Sequence, residues 1–193
     1  MAIEDGEKPE VGSTRQTKAK APTWQFVVLR SLALCATVSA TLVMALNKQT
    51  KSIVLAVIGN APISATVTAK FQYTPAFVYF VIVNAIASFY NLSLLLLGSF
   101  GNKFNFKGLG LLITISDMVM VGLVSSGAAA AASIAELGKN GNSHARWNKI
   151  CDNFGTYCDH GGGALIAAFI AVGLLMVLNA LSTINLYKNR VGH

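Results

Sequence analysis

The chain has 193 residues, 53% of them hydrophobic and only 12% charged, whereas an ordinary soluble domain carries about 25% charge. This excludes a soluble globular domain and indicates an integral membrane protein. The net charge of +7 does not imply a nucleic-acid partner, because the fifteen Lys and Arg are scattered over tails and loops with no run long enough to follow a phosphate backbone. They read as topology signals that face an anionic lipid surface.

Residues 1–23 mix acids and bases with hardly an apolar side chain, so a disordered cytoplasmic tail is expected. The polar, acidic start is unlike a secretory leader, so the first helix should serve as its own uncleaved insertion signal. That helix covers residues 24–46, opened by Trp24 at interface depth and interrupted by Arg30. Cys35 within it reads as a small apolar packing residue.

The first outer loop, residues 47–74, holds an apolar run from Ile53 to Ile58 that is too short to span a bilayer. Gly59, Asn60, Ala61 and Pro62 then mark a turn. After it, Ile63, Ala65, Val67, Ala69 and Phe71 alternate with polar residues. Period two predicts a strand with one buried face, so the loop should form a small extracellular β-hairpin.

Thr74 and Pro75 announce a second helix over residues 75–97, with Asn84 and Asn91 as its polar interruptions. Asn91-Leu92-Ser93 matches a glycosylation pattern, but at a position expected inside lipid. A third helix over residues 109–132 carries one acid, Asp117, whose charge in a membrane is unfavourable by roughly 2.5–3.5 kcal/mol and demands a partner. On this helix Gly122, Ser126 and Ala130 share a small-residue face, as do Gly127 and Ala131, and such faces let helices approach closely. A second outer loop, residues 133–163, precedes a fourth helix over residues 164–187, whose start Gly161–Gly163 should loosen. Asn179 interrupts it, and residues 188–193 form the C-terminus. The fold class is therefore an all-α membrane protein, a four-transmembrane-helix bundle with a small hairpin. Eight Lys and Arg fall on the side of the termini against six on the other, so both termini are expected in the cytoplasm.

Helices one and three run in the same direction, and Arg30 and Asp117 both sit roughly 9–12 Å above their starts. Asn91 and Asn179 fall at the same depth. One polar residue per helix in one layer predicts an interior cluster that fixes which helix faces which, with Arg30 and Asp117 paired. A second reading makes this layer an ion or proton relay, and a third lets Arg30 snorkel alone. In the second outer loop Cys151 and Cys158 lie in an oxidising compartment with room to close a disulfide. A zinc site from His144, Cys151, Cys158 and His160 is the other arrangement that these residues permit. No nucleophile is paired with a base, so no catalytic residue, cofactor or resident metal is expected.

An Arg in the first span, an Asp in the third and a second helix opening Thr74-Pro75-Ala76-Phe77-Val78-Tyr79-Phe80-Val81-Ile82-Val83-Asn84-Ala85-Ile86 resemble the plant Casparian strip membrane domain protein-like (CASP-like) family, subgroup 1. Trp147, Cys151, Phe154 and Cys158 are similar to that family's second outer loop. The resemblance implies a plasma-membrane protein of MARVEL-like architecture that forms homo- and hetero-oligomeric scaffolds with itself and with related members. It further implies platforms that recruit cell-wall-modifying proteins. Casparian strip members carry an acidic and aromatic signature in the first outer loop. Val67 to Tyr73 contains no acid here, so the resemblance is to the CASP-like family at large. A small transporter or channel built on Arg30 and Asp117 is the alternative function.

Overall fold

In lipid the backbone must satisfy its own hydrogen bonds, which leaves a continuous apolar run one outcome, the helix. A computed structural model describes residues 23–58, 61–100 and 108–191. It contains α1 (Thr23–Leu46), a hairpin of β1 (Lys48–Ile58) and β2 (Ala61–Lys70), a 3-10 turn (Phe71–Tyr73), α2 (Pro75–Phe100), α3 (Leu109–Asn140) and α4 (Gly155–Val191). All four helices are long and apolar enough to cross a membrane. The expected tail, the Gly59-Asn60 turn and most of the connection between α2 and α3 lie outside the described residues.

The helices form a ring. α1 packs on α2 and α4, and α3 packs on the same two, which leaves α1 and α3 on a diagonal. The core between them has two parts. At the hairpin end Met44, Phe77, Phe80, Phe154, Tyr157 and Leu165 surround small residues such as Ala40, Ala128, Ala131 and Ala168. Nearer the termini Ala33, Ala87, Val124, Val172, Leu175 and Leu178 pack together. Alanines at the contacts bring the helix axes close, the usual means of gaining dispersion where no water drives association. The outer faces are inverted relative to a soluble protein: Phe89 is 74% exposed, Met118 70% and Ile166 64%.

α3 and α4 reach well beyond the loop boundaries expected from hydropathy. α3 continues eight residues past Ala132, and α4 begins nine residues before Ala164, so that only residues 141–154 of the expected loop lie between helices. Hydropathy reports where a chain leaves lipid, not where its helix ends. Ser133 to Asn140 contains good helix formers, and Asn140 donates a hydrogen bond back to Glu136. α3 stops only at Gly141, whose φ of 68° suits glycine and whose N–H bonds to the Leu137 carbonyl. Gly161–Gly163 do not loosen the start of α4 but lie in its interior, at a propensity cost of roughly 0.5–1 kcal/mol each relative to alanine. The segment is held from outside. Asn47 Nδ2 donates to the Tyr157 carbonyl at 2.7 Å, and the Tyr157 N–H donates to Gln49 Oε1 at 2.8 Å. The second contact supplies a first-turn amide with the acceptor its own helix cannot provide.

β1 and β2 pair antiparallel from Lys48 opposite Lys70 to Ile58 opposite Ala61, with an irregularity between Val54 and Ala56. Ile63, Ala65, Val67 and Ala69 belong to β2. Phe71, expected in the same strand, lies instead in the 3-10 turn. The one-sided burial expected of the strand is incomplete, since Val67 is 40% exposed. A two-stranded ribbon has only the bundle's end to lean on, and Ala69, with Phe71 just after the strand, packs against its apolar core.

Cys151 and Cys158 form a disulfide that ties the loop after α3 to the first turn of α4. Their sulfurs are bonded to each other, so the thiolates a zinc site would need are already used. Among the described residues no group of three or more His, Cys, Asp or Glu stands ready to hold a metal. Cys35 is not packed inside the bundle as expected; it is free and exposed on the outer face of α1.

Two measurements check this packing. An added Cβ at Gly127 would run into Val83 Cγ2 and lie 3.5 Å from the Phe80 backbone, whereas nothing lies within 4 Å of one at Gly122. Gly127→Ala should therefore lower thermal stability in detergent by roughly 1–3 kcal/mol, while Gly122→Ala should leave it unchanged or raised. Replacing both Cys151 and Cys158 by Ser should remove about 2–3 kcal/mol, the scale set by closing so short a loop in the unfolded chain.

Candidate functional site

The charged centre of the protein lies inside the helical bundle. Arg30, two turns into α1, extends across the diagonal to Asp117, two turns into α3. Its Nη2 donates to both carboxylate oxygens, at 2.8 Å and 3.0 Å. Asp117 is fully buried and Arg30 is 8% exposed. α1 and α3 barely touch through their backbones, so this long side chain is the main link between them.

Asn91 on α2 accepts from Arg30 Nη1 at 3.4 Å, and its own amide donates to the Ala87 carbonyl at 2.9 Å. Tyr90, the residue beside it, donates its hydroxyl to Asp117 Oδ1 at 2.7 Å, and its ring centre lies 5.7 Å from the Arg30 guanidinium carbon. The hydroxyl has a single proton, so the longer approach to the Ile113 carbonyl, 3.3 Å, is a secondary contact. The acid thus receives three donated hydrogen bonds from two helices, and the guanidinium meets an anion, an amide oxygen and a ring face. Charge-assisted bonds of this kind are strong where the dielectric is low, and leaving either partner unpaired is costly.

Three of the four residues of the expected layer, Arg30, Asn91 and Asp117, therefore meet. Asn179 does not join them. Its amide donates to the Thr114 carbonyl at 2.9 Å, which ties α4 to α3 one turn before Asp117. Tyr90 is the participant that sequence reasoning missed. Its signal was available: a tyrosine well inside a span, away from the interface where such side chains collect, needs a polar partner.

A second, neutral layer lies deeper. Ser88 Oγ donates to Thr37 Oγ1 at 2.9 Å, joining α2 to α1, and Thr37 in turn bonds the Ala33 carbonyl at 3.0 Å. Asn84 is fully buried, with its amide bonded to the Phe80 carbonyl, while its Oδ1 and the Ser125 hydroxyl have no partner among the described residues. The small-residue faces of α3 separate. Gly127 and Ala131 are buried, Gly127 against α2, whereas Gly122 and Ser126 stay exposed and Ala130 partly so, with Ser126 hydrogen-bonded to the Tyr79 hydroxyl at 2.8 Å.

Comparison with known proteins matches residues 19–174 to the Casparian strip membrane protein domain. The chain belongs to this CASP family. A CASP-like protein 1B2 from Populus trichocarpa is 55% identical over 188 residues, 96% of this chain and 94% of the relative. A CASP-like protein 1B2 from Vitis vinifera is 52% identical over 198 residues, covering 99% and 96%, and a CASP-like protein 1B1 from Arabidopsis thaliana is 57% identical over 155, covering 80% and 79%. No solved structure matches the chain. The ion pair and the disulfide of this CASP-like chain both fall within the matched residues.

If the pair locks the bundle, Asp117→Asn should lower stability by roughly 3–5 kcal/mol, because it strands a buried cation. Tyr90→Phe should lower it by a smaller amount, roughly 1.5–3 kcal/mol, for the loss of one bond to a charged acceptor. The exchanged double variant Arg30→Asp, Asp117→Arg should recover part of the loss seen in Asp117→Asn. Unfolding followed by fluorescence in detergent reads all three; wild-type behaviour of both single variants would exclude the lock.

Proposed function

We propose that the protein is a non-enzymatic scaffold of the plasma membrane that acts by lateral assembly, with itself and with related CASP-like chains. The observation that carries this reading is the closure of the charged layer on itself. Arg30 and Asp117 neutralise each other, and Asn91 and Tyr90 each add one bond to the pair, so the intramembrane charge serves packing and offers no stepping stone to a moving ion. What such a bundle leaves for others is surface: apolar helix faces, the open Gly122–Ser126 strip of α3 and two free hairpin edges. On this reading both termini are cytoplasmic and the hairpin extracellular. The balance of basic residues supports that orientation, as does a disulfide at the hairpin end, which needs an oxidising compartment. Organising cell-wall-modifying proteins around the assembly is part of the same proposal.

The alternative, a small ion or proton transporter through the Arg30 and Asp117 layer, draws on Asn84 Oδ1 and Ser125 Oγ, buried oxygens at mid-depth without a partner among the described residues. Purified protein reconstituted in liposomes at low density separates the two. The scaffold predicts cross-linked oligomers without ion or proton flux. Flux abolished by Asp117→Asn in protein that stays monomeric would overturn it.

A further inference from the structure

At the hairpin end the four helices part around a cavity of about 1000 Å³. Its walls come from all four helices: Met44 near the end of α1, Phe77 near the start of α2, Ala132 and Ala135 of α3, and Leu165 of α4. These side chains are apolar, yet the cavity belongs to the part of the bundle that outruns a membrane. α3 is about 48 Å long at about 1.5 Å per residue, against a hydrocarbon core of about 30 Å. Counting from Leu109, residues 132–139 stand at the level of the headgroups. Met44, Phe77 and Leu165 form its covered floor, whereas Ile150 and Ile166 at its mouth are 51% and 64% exposed, so the apolar mouth meets water unless something amphipathic fills it.

Three further observations say what fits. Gly161, Gly162 and Gly163 all line the cavity. An added Cβ at Gly162 or Gly163 would meet no atom within 4 Å, so no contact inside the chain requires glycine there, although glycine weakens a helix interior. What the missing side chains provide is room. Next, Ile166 lines the cavity and is 64% exposed; with Phe169 and Ile170 it forms an apolar stripe along the outer face of α4. The hollow is thus continuous with the lipid-facing surface. Finally, the charged residues lining it balance: Lys70 and Lys139 against Glu136 and Asp159. Such a rim gives no net attraction to an anionic headgroup.

We infer that this cavity is a binding site for a single amphipathic lipid of the adjoining leaflet, one with an apolar body and an uncharged or charge-balanced polar end. The body lies along Ile166 and enters beside Gly162 and Gly163, and the polar end rests among Lys70, Glu136, Lys139 and Asp159. Zwitterionic phospholipids and sterols share this chemistry. The site is independent of whether the protein assembles.

Photoactivatable phosphatidylcholine, sterol and phosphatidylserine, used in separate nanodisc preparations of the full-length protein, test it. The expected result is labelling of residues 155–170 by a neutral or zwitterionic probe, reduced at least fivefold by excess unlabelled lipid of the same kind. Gly162→Leu, which fills the cavity while favouring the helix, should reduce that labelling at least fivefold with the Cys151–Cys158 disulfide intact. Labelling that does not saturate, that spreads evenly over the four helices, or that comes only from phosphatidylserine overturns the proposal. So does labelling unchanged in a folded Gly162→Leu protein. If that variant does not fold, competition on the wild-type protein decides alone.

Discussion

One ion pair sets the arrangement of this bundle. In a ring of four helices, neighbours are held by ordinary side-chain packing, but nothing of that kind fixes the diagonal. Apolar contacts in lipid discriminate poorly between one helix face and another, because lipid tails are as apolar as leucine. Arg30 and Asp117 supply the missing discrimination. A helix rotated to present either charge to the bilayer would expose it to hydrocarbon, so the rotation of α1 and α3 is determined by two residues. Tyr90 and Asn91 bring α2 into the same decision, since adjacent positions on one helix bond the acid and the base respectively. α4 is recruited separately, by Asn179 on one side and by alanine-lined packing on the other.

The opposite end of the bundle is governed by a different physics. There, beyond the hydrocarbon, side chains can bond to backbone without penalty from lipid, and Asn47 and Gln49 do so by gripping the first turn of α4. The disulfide at the next residue fastens the same turn to the loop after α3. A helix that contains three consecutive glycines is in this way held at its own start. The two ends together describe a molecule with a rigid polar pin near its termini and a covalent clasp near its hairpin.

How much of this was legible in the sequence follows from which interactions are local. Four spans were legible because length and hydropathy are properties of a continuous stretch. The hairpin was legible because a turn signal separates an apolar run from an alternating one. The meeting of Arg30 and Asp117 could be argued from depth, since charge in lipid has few destinations, and the same argument placed Asn91 rightly beside them. It failed for Asn179, because equal depth does not specify the side of a helix, and an amide can satisfy itself on a carbonyl close at hand. Phe71 left the strand because the chain must turn there to enter α2. Helix ends in α3 and α4 were misjudged because polarity and helix formation part company at the membrane surface. The grip of Asn47 and Gln49 on α4 had no local sign at all; the partners lie more than a hundred residues apart.

That separation in sequence has a temporal side as well. Arg30 is synthesised before its partner, and Asp117 follows 87 residues later. At about 5 to 20 residues per second, the cation is made roughly 4 to 17 s before its acid exists. During that interval the guanidinium has no anion of its own chain inside the bundle to turn to, only headgroups, water and the neutral Asn91 amide of α2, and its place two turns from the helix start lets it reach the membrane surface. The nascent bundle is therefore incomplete until the third helix arrives, however well the first two fit. A chain interrupted between α2 and α3 carries an unpaired charge at the membrane's edge, a mark by which cellular quality control can distinguish it from the finished protein.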